Sequence, residues 1–290
     1  MPHAGHVALA GRPNVGKSSL LNTIVGEHLA LVSSKAQATR LPVVGLRTDG
    51  DIQYVFHDLP GLLEPAYAMQ ERMRALALDG VRRADVILYL HPAPEGPPPD
   101  LVTAAGLAEP PTAPVLLVHT KCDLVPSAAR AALDQSGILT SAETGEGIDE
   151  LLSRVAALLP ERELLYPADD LGTQPLRFFA VEFLREAAFE HLEEEVPYSF
   201  TAEIEEFRDA TDPVYIRAVL FVERESQKGI LIGKKGATIK KIGQHARGRI
   251  EALLGGRVYL DTQVKVLPRW RKDAAQLRRF GFPDLPPETI

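Results

Sequence analysis

Apolar and polar residues follow a regular order through the first half of the chain. Short apolar runs predict β-strands at 6–10, 43–49, 51–57, 84–90 and 115–120. Apolar residues at helical spacing predict helices at 17–25, 69–80 and 148–159. Strands that alternate with helices form a mostly parallel sheet covered by helices. Asp49-Gly50-Asp51 is typical of a hairpin turn, so the second and third strands should pair antiparallel.

The pattern changes after residue 160. Proline, glycine and aspartate interrupt the apolar periodicity, which predicts a linker at 163–174. Beyond it the pattern predicts helices and strands in a different order: a helix at 175–194, strands at 199–207 and 214–223, a glycine-rich turn, a basic helix at 234–254, a strand at 257–266 and a helix at 269–279. We therefore predict an α/β domain at 1–162, with a mostly parallel sheet, and a smaller α+β domain at 175–290.

Composition and charge narrow the function classes. No apolar run approaches the roughly 18 residues that span a bilayer, and the first residues lack the features of a signal peptide, so we expect a cytoplasmic protein. The one cysteine, Cys122, has no intramolecular disulfide partner and no evident histidine partner, which argues for a reducing compartment and against a nucleophilic role.

The net charge of −7 conceals two charged stretches of opposite sign. Residues 182–225 carry a local net charge of −9, and residues 226–280 carry fourteen Lys or Arg against three acidic residues. We interpret these stretches as two faces of one small domain, a basic face for phosphate groups and an acidic face that repels wrong contacts.

The octapeptide at 11–18, Gly-Arg-Pro-Asn-Val-Gly-Lys-Ser, lies between a predicted strand and a predicted helix. It is a complete phosphate loop, in which glycines let successive backbone N–H groups point at phosphate oxygens. Lys17 is predicted to neutralise the β- and γ-phosphates and Ser18 to hold Mg²⁺. The predicted phosphate-binding residues are Gly11, Asn14, Val15, Gly16, Lys17, Ser18 and Ser19.

Two further segments are predicted to act on the γ-phosphate. Asp58-Leu59-Pro60-Gly61 follows the third strand, and in nucleotide hydrolases such an aspartate binds Mg²⁺ while the glycine N–H meets the γ-phosphate. Thr39 lies in the connection before the second strand, where a switch threonine would reach Mg²⁺. The predicted metal ligands are Ser18, Thr39 and Asp58, and the predicted catalytic residues are Lys17, Thr39 and Gly61.

The tetrapeptide Thr120-Lys121-Cys122-Asp123 resembles the Asn-Lys-x-Asp signature of GTPases. The Asp123 carboxylate would accept two hydrogen bonds from guanine, which adenine does not offer. Thr120 replaces the usual asparagine, so we expect a looser loop anchor and weaker nucleotide affinity. Ser141-Ala142-Glu143 is predicted to complete the site with a backbone N–H toward the guanine O6.

A second motif lies in the basic stretch, where a Gly-x-x-Gly sequence precedes a basic helix. Such a loop is the backbone clamp of KH domains, which admit about four nucleotides of single-stranded RNA. The predicted RNA-binding residues are Gly229, Ile230, Ile232, Gly233, Lys234, Lys235, Gly236, Lys240, Lys241 and Trp270. For Trp270 two interpretations stay open, stacking on a base and packing in the domain.

Over nearly its whole length the sequence resembles the Era family of bacterial GTPases. The resemblance is carried by the phosphate loop, Lys35 to Arg40, the Asp-x-Pro-Gly turn, Val196 to Ser199, and Gly233 to Ala237. It implies a P-loop GTPase domain followed by a KH domain, GTP, GDP and Mg²⁺ as ligands, and a potassium ion beside Asn14. It further implies binding to the 3′ end of small-subunit ribosomal RNA, a role in 30S assembly and loose contact with the inner membrane.

The resemblance also bears on rate and competing functions. The residue after Gly61 is the apolar Leu62, which cannot orient the attacking water as glutamine does in Ras-like proteins, so we expect slow intrinsic hydrolysis. The resemblance also implies a monomer. Two alternatives remain: a P-loop ATPase or kinase acting on a small molecule, and a catalytically weak scaffold that binds GTP and RNA.

Overall fold

The computed structural model describes residues 1–285, and its first part forms a six-stranded sheet in the order β2-β3-β1-β4-β5-β6. The strands are β1 (His3–Ala10), β2 (Val43–Asp49), β3 (Ile52–Asp58), β4 (Val86–Pro92), β5 (Val115–Thr120) and β6 (Ile138–Leu139). The helices are α1 (Lys17–Val25), α2 (Ala68–Arg83), α3 (Leu101–Ala105), α4 (Ser127–Asp134) and α5 (Ile148–Ala156).

The strand pairing confirms the predicted mostly parallel sheet. β1 pairs parallel with β3 and β4, and β4, β5 and β6 continue in parallel. β2 pairs antiparallel with β3 across the predicted turn, where Gly50 has a φ of +61°. Parallel strands place their carboxyl ends at one edge. The segments after β1, β3 and β5, which hold three of the predicted motifs, therefore meet at that edge.

The second part has a three-stranded sheet, β7-β8-β9, with β7 antiparallel and β9 parallel to β8. The strands are β7 (Thr201–Arg208), β8 (Val214–Val222) and β9 (Val258–Val266). The helices are α6 (Leu176–His191), α7 (Val196–Ser199), α8 (Glu225–Ile232), α9 (Ala237–Leu254) and α10 (Ala274–Arg279). α6, α8 and α9 pack against this sheet.

Three predicted boundaries in this part were wrong, and one of them is the helix predicted at 269–279, which begins only at Ala274. The predicted glycine-rich turn before residue 233 is instead helix α8, because its buried Leu231 and Gln227 hold it against the domain despite Gly229. The predicted basic helix begins three residues later, at Ala237, after a separate turn at 234–236. No helix within residues 1–285 is long and apolar enough to cross a lipid bilayer.

Apolar contacts join the two parts of the chain. Met69 and Met73 of α2 pack with Trp270 and Leu277 in one buried cluster. A second cluster joins Leu31 and Ala38, from the connection between α1 and β2, to Phe189 of α6. The segment around Thr39 and the helix after Gly61 are therefore both in contact with the second part.

Candidate functional site

The phosphate loop follows β1 and leads into α1, as predicted. Lys17 is buried, and its Nζ donates hydrogen bonds to the carbonyls of Gly11 and Arg12 at 3.3 and 2.9 Å. Burial lowers the pKa of Lys17 to about 8, while the nearby Asp58 carboxylate opposes the shift. An anion in this loop would favour the charged lysine, so phosphate binding and lysine protonation support each other.

The three predicted metal ligands lie together. The Ser18 hydroxyl donates to Oδ2 of Asp58 at 2.6 Å, and the Thr39 hydroxyl donates to the same oxygen at 3.2 Å. The two hydroxyl oxygens are 3.1 Å apart. Asp58 is fully buried, and its Oδ1 has no hydrogen-bond partner within residues 1–285. Two hydroxyls and a partly unpaired buried carboxylate are hard oxygen donors, a set that fits Mg²⁺.

Burial also affects the charge of Asp58. It raises the pKa of that carboxyl, and Lys17 and the Ser18 and Thr39 hydroxyls act in the opposite direction. A divalent cation would strengthen that opposition, because it favours the ionised carboxylate.

The turn after β3 lies directly against the phosphate loop. A Cβ added to Gly61 would come within 2.6 Å of the Pro13 nitrogen, so a side chain there would displace one of the two segments. The Leu62 N–H donates to the Gly11 carbonyl at 2.9 Å, and its side chain is buried with Leu59 and Ala77. Leu62 therefore anchors the turn through its backbone and presents no polar group to a water molecule.

The loop after β5 is bonded to the phosphate loop. Thr120 is buried, and its hydroxyl donates to the Val15 carbonyl at 2.5 Å. Lys121, in a left-handed conformation, donates from Nζ to the Asn14 carbonyl at 3.0 Å. Thr120 thus anchors the two loops to each other through the hydroxyl that it retains in place of the asparagine amide. Asp123 is exposed at the same edge, as a base-reading carboxylate would be before ligand binds.

The predicted cap of the base also lies at this edge. Ser141 is fully buried, with its Oγ accepting from the Thr144 N–H at 3.2 Å. Thr23 of α1 donates to the Ala142 carbonyl at 3.0 Å, which fixes the loop to the helix behind the phosphates. Glu143 is exposed. The nearby Cys122 is buried, and burial is the main cause that raises the pKa of its thiol to about 11, which agrees with the prediction that it is not a nucleophile.

Two adjoining cavities extend across these loops. One, of about 460 Å³, is lined by residues of the phosphate loop together with Thr39 and Gly61. The other, of about 660 Å³, is lined by Thr120, Asp123, Ser141 and neighbouring residues, and shares Gly16, Ser19 and Lys121 with the first. Of the predicted nucleotide-binding residues, Gly11, Val15 and Asp58 lie behind these walls and the others line them.

Sequence reasoning missed the contacts between the segment around Thr39 and the second part of the chain. The buried Arg40 guanidinium donates to the carbonyls of Pro197, Tyr198 and Phe200 at 3.2, 2.9 and 2.7 Å. The charges of residues 35–40 were visible in the sequence, but their partners are more than 140 positions away.

Two more hydrogen-bonding groups reinforce that connection. Arg185 of α6 donates to the Ala38 carbonyl at 2.6 Å, and Lys35 donates to carbonyls at the end of α6. The residues on both sides of Thr39 are therefore held by the second part of the chain.

The Gly-x-x-Gly loop is confined to 233–236. Gly233 has a φ of +71°, and a Cβ there would approach the Thr238 Oγ1 to 2.2 Å, so only glycine fits. Lys234 and Lys235 are exposed on this loop. Gly229 and Ile230, also predicted to contact RNA, lie not in this loop but inside α8, where the Gly229 carbonyl accepts from the Gly233 N–H.

The sequence suggested that the acidic and basic stretches form two separate faces, and the structure shows that they do not. Basic side chains of 226–280 form ion pairs with acidic side chains of the preceding stretch: Lys228–Glu225, Arg249–Glu186, Arg257–Asp212, Lys265–Glu205, Arg271–Glu223 and Arg279–Glu203. Within residues 1–285 no such pair involves Lys234, Lys235, Lys240 or Lys241, and all four are exposed. Four unpaired lysines therefore lie at the Gly-x-x-Gly loop and the start of α9, and within residues 1–285 the exposed Arg269 and Lys272 after β9 also form no ion pair.

Trp270, a predicted RNA-binding residue for which stacking and packing were both open, is not available to stack on a base. It is fully buried, its Nε1 donates to the Ser199 carbonyl at 2.8 Å, and Phe280 packs against it edge to face. The alternative of packing is the correct one, because the strand end places the indole between α2 and α7.

Comparison with known proteins agrees with both parts. A family model described as a 50S ribosome-binding GTPase matches residues 6–121, and a KH domain model matches residues 195–271. GTPase Era of Carboxydothermus hydrogenoformans is 40% identical over 292 residues, which cover 96% of this chain and 97% of the relative. The chain belongs to the Era family of GTPases. GTPase Era of Thermosipho melanesiensis is also 40% identical and covers 97% of this chain.

Solved Era structures share the fold over almost the entire chain. One is Era in complex with MgGDPNP and nucleotides 1506–1542 of 16S ribosomal RNA, with a TM-score of 0.91, 36% identity and coverage of 97% of this chain and 99% of that one. Another is a point variant of Aquifex aeolicus Era bound to GDP·AlF4⁻, also with a TM-score of 0.91, at 37% identity and the same coverage. The predicted fold, a P-loop GTPase domain followed by a KH domain, is confirmed.

Proposed function

We propose that this Era-family GTPase binds GTP with Mg²⁺, hydrolyses it to GDP and phosphate, and binds the 3′ end of small-subunit ribosomal RNA through its KH domain during 30S assembly. Relatives captured with MgGDPNP and 16S ribosomal RNA, and with GDP·AlF4⁻, support the binding of GTP, Mg²⁺ and rRNA and the hydrolysis of GTP. The observation that carries the proposal is that the loops after β1, β3, β5 and β6 meet at one edge of the sheet. The KH domain that follows has a basic loop whose lysines form no ion pair within residues 1–285.

In the nucleotide site each loop has a separate task. The buried Lys17 offsets phosphate charge, and the backbone of Gly61 lies close enough to the phosphate loop to meet the γ-phosphate. Ser18, Thr39 and Asp58 would hold Mg²⁺, which neutralises charge between the phosphates. With Leu62 buried, no side chain at that position orients water, and we expect slow intrinsic hydrolysis.

Guanine selection is assigned to Asp123. An exposed carboxylate beside the Ser141 to Glu143 loop offers two acceptor oxygens, which match guanine N1–H and N2–H. Adenine would leave that carboxylate desolvated without donors, which disfavours it and argues against the ATPase or kinase alternative.

RNA binding is assigned to the loop at 233–236 and the start of α9. Gly233 allows close backbone approach, and Lys234, Lys235, Lys240 and Lys241 supply charge for phosphates. Exposed Ile230 and partly buried Ile232 flank the loop as apolar groove residues.

The contacts around Thr39 support control of the KH domain by the nucleotide. Thr39 reaches the Mg²⁺ ligands, while its neighbours Ala38 and Arg40 are bonded to α6 and the segment after α7. Loss of the γ-phosphate would release Thr39 and, through the chain, loosen these bonds.

The nucleotide assignment is tested with titration calorimetry of GDP and ADP against the full chain and against Asp123→Asn. We expect strong preference for GDP in the natural chain and a loss of about tenfold or more in GDP affinity in the variant. Equal affinities for GDP and ADP in the natural chain would refute the GTPase assignment.

The scaffold alternative is tested by single-turnover hydrolysis of GTP with and without an RNA of the 3′-end sequence. We expect slow turnover in both, and no turnover in either condition would favour the scaffold. If the rate of GTP hydrolysis is identical in Na⁺ and K⁺ buffers, the proposal of a potassium ion beside Asn14 is wrong.

The RNA assignment is tested by the quadruple alanine variant of Lys234, Lys235, Lys240 and Lys241. The variant loses four phosphate contacts, each of which contributes roughly 0.7 to the steepness with which log affinity falls as log salt rises. That steepness should therefore decrease by about 3 for every RNA sequence. Arg154→Ala, an exposed cation on α5, is the control. Unchanged RNA affinity in the quadruple variant would contradict the assignment.

The remaining features of the proposal follow the resemblance. We place the domain boundaries at 1–162 and 175–290 with the linker at 163–174, and we propose a monomer in the cytoplasm. Peripheral contact with the inner membrane stays a prediction.

A further inference from the structure

The cavity beside the base-reading loops has a wall from the KH domain. It is lined by Thr120, Asp123 and the Ser141 loop of the GTPase domain together with Glu186 and Glu190 of α6 and Arg249 of α9. The phosphate cavity adjoins it and shares Gly16, Ser19 and Lys121. If a nucleotide has its phosphates at Lys17 and its base at Asp123, its ribose must lie where the two cavities join.

One of the two carboxylates on the KH wall is already occupied. Glu186 is buried, and both of its oxygens lie 2.9 Å from Nε2 of His28, with Nε of Arg249 at 3.8 Å. Since those partners come from α9 and from the connection after α1, Glu186 acts to hold the wall in place.

Glu190 is the carboxylate with free access. It lies one turn beyond Glu186 on the same face of α6, and its side chain is 57% exposed. The Nδ1 of His245 lies 3.1 Å from its Oε2, which orients the group while leaving it open to the cavity.

The ribose is the part of a guanine nucleotide that suits such a group. Its 2′- and 3′-hydroxyls are adjacent hydrogen-bond donors, and a carboxylate is the acceptor that dinucleotide-binding folds use for a ribose 2′-hydroxyl. Phosphates would be repelled by Glu190, and the base is served by Asp123 and the Ser141 loop.

We propose that Glu190 of the KH domain accepts hydrogen bonds from the ribose hydroxyls of the bound guanine nucleotide, and so selects ribose over deoxyribose. The proposal rests on the nucleotide site proposed above. It makes nucleotide affinity depend on the position of the KH domain, and by reciprocity makes that position depend on the nucleotide.

The test is titration calorimetry of unlabelled GDP, 2′-deoxy-GDP and 3′-deoxy-GDP against the full chain, because ribose-linked fluorophores would block the contact. The natural chain should bind GDP about tenfold more tightly than at least one deoxy analogue. Glu190→Ala should lower GDP affinity about tenfold and leave affinity for that analogue within about twofold. Glu190→Gln, which keeps an acceptor oxygen, should fall between the two.

Glu193→Ala is the matched control, since Glu193 is an exposed glutamate near the end of α6 that does not line the cavity. It should leave all three affinities unchanged. Equal binding of GDP and both analogues by the natural chain would overturn the ribose contact. So would an equal loss for GDP and its analogues in Glu190→Ala, which marks a structural effect.

The nucleotide site itself is judged separately. If GDP is preferred over ADP but the ribose makes no difference, only the assignment of Glu190 fails. If the natural chain does not prefer GDP over ADP, the nucleotide assignment fails, and the role of Glu190 fails with it.

Discussion

Replacing Arg40 with alanine should separate the two domains before either unfolds. The guanidinium is 3% exposed and donates three hydrogen bonds to backbone carbonyls at 197–200, and it lies 5.6 Å from the Trp270 ring. Burial is the main cause that lowers the pKa of Arg40, with Arg185 second, so these carbonyls offset a substantial desolvation cost.

The magnitude follows from those contacts. Truncation leaves three carbonyls without their charged donor, and each such bond contributes about 1.5–3 kcal/mol. Partial access of water to the space reduces the sum, so we expect a loss of about 3–5 kcal/mol. Against a total free energy of unfolding of about 5–15 kcal/mol, that is a large fraction.

Trp270 provides the assay because it is the only tryptophan in the sequence and lies at the interface between the domains. In urea, Arg40→Ala should move the fluorescence transition to lower denaturant by roughly 1 M or more. The circular dichroism transition should shift less. Arg40→Lys, which keeps the charge but not the planar fork, should give an intermediate shift.

Arg83→Ala is the control, since Arg83 is 79% exposed and, within residues 1–285, forms an ion pair with Asp79 of the same helix alone. It should change stability by less than about 0.5 kcal/mol. If Arg40→Ala shifts the Trp270 transition no more than this control does, the argument that Arg40 holds the domains together is wrong.

Substitutions at three further residues test the site and the sheet. Thr120→Val should lower GDP affinity about tenfold by leaving the buried Val15 carbonyl unpaired, and Thr120→Ser should retain it, as calorimetry would measure. Gly61→Ala should lower single-turnover hydrolysis by roughly a hundredfold with a smaller effect on GDP affinity, because its Cβ would push against Pro13. Burial is the main cause, and the neighbouring His6 the second, that lowers the pKa of His57 from 6.5 to about 4. The free energy of unfolding, measured in urea, should therefore fall by about 2 kcal/mol between about pH 7 and pH 5. It should fall less in the His57→Gln variant.

Each of these has a contrary result. Equal GDP affinity in the valine and serine variants of Thr120 would show that its hydroxyl does not anchor the loop. Normal GTP hydrolysis by the Gly61→Ala variant would show that the turn can move away from Pro13 without loss of activity. Between pH 6.5 and pH 4 the unfolded chain binds a proton at His57 that the folded chain does not, so stability is lost as pH falls. If His57→Gln loses the same stability over this range, the loss comes from other groups.

The nucleotide motifs were predictable from sequence because their chemistry is local. Eight consecutive residues form the phosphate loop, and each remaining motif occupies three or four residues at the end of an apolar strand. Strand and helix periodicity then placed these motifs at one edge, and the structure brings Ser18, Thr39 and Asp58 into contact there. The Asp49 to Asp51 turn likewise determines its own hairpin.

The sequence misled where burial or a distant partner decides the outcome. Trp270 reads equally as a stacking or a packing residue until α2 is placed against it. Gly229 looks like part of a flexible loop, yet Leu231 and Gln227 anchor its helix in the core. Ion pairs with the acidic stretch neutralise six of the fourteen basic side chains of 226–280.

By itself, the sequence determined that this protein holds a phosphate loop, a guanine-type motif and a basic Gly-x-x-Gly loop, because each depends on residues that are neighbours in the chain. Only the tertiary structure decided which charges stay unpaired, that Arg40 joins the Thr39 segment to the KH domain, and that Glu190 faces the nucleotide cavity. Those properties depend on partners brought together from distant positions, and a one-dimensional pattern of polarity does not specify such partners.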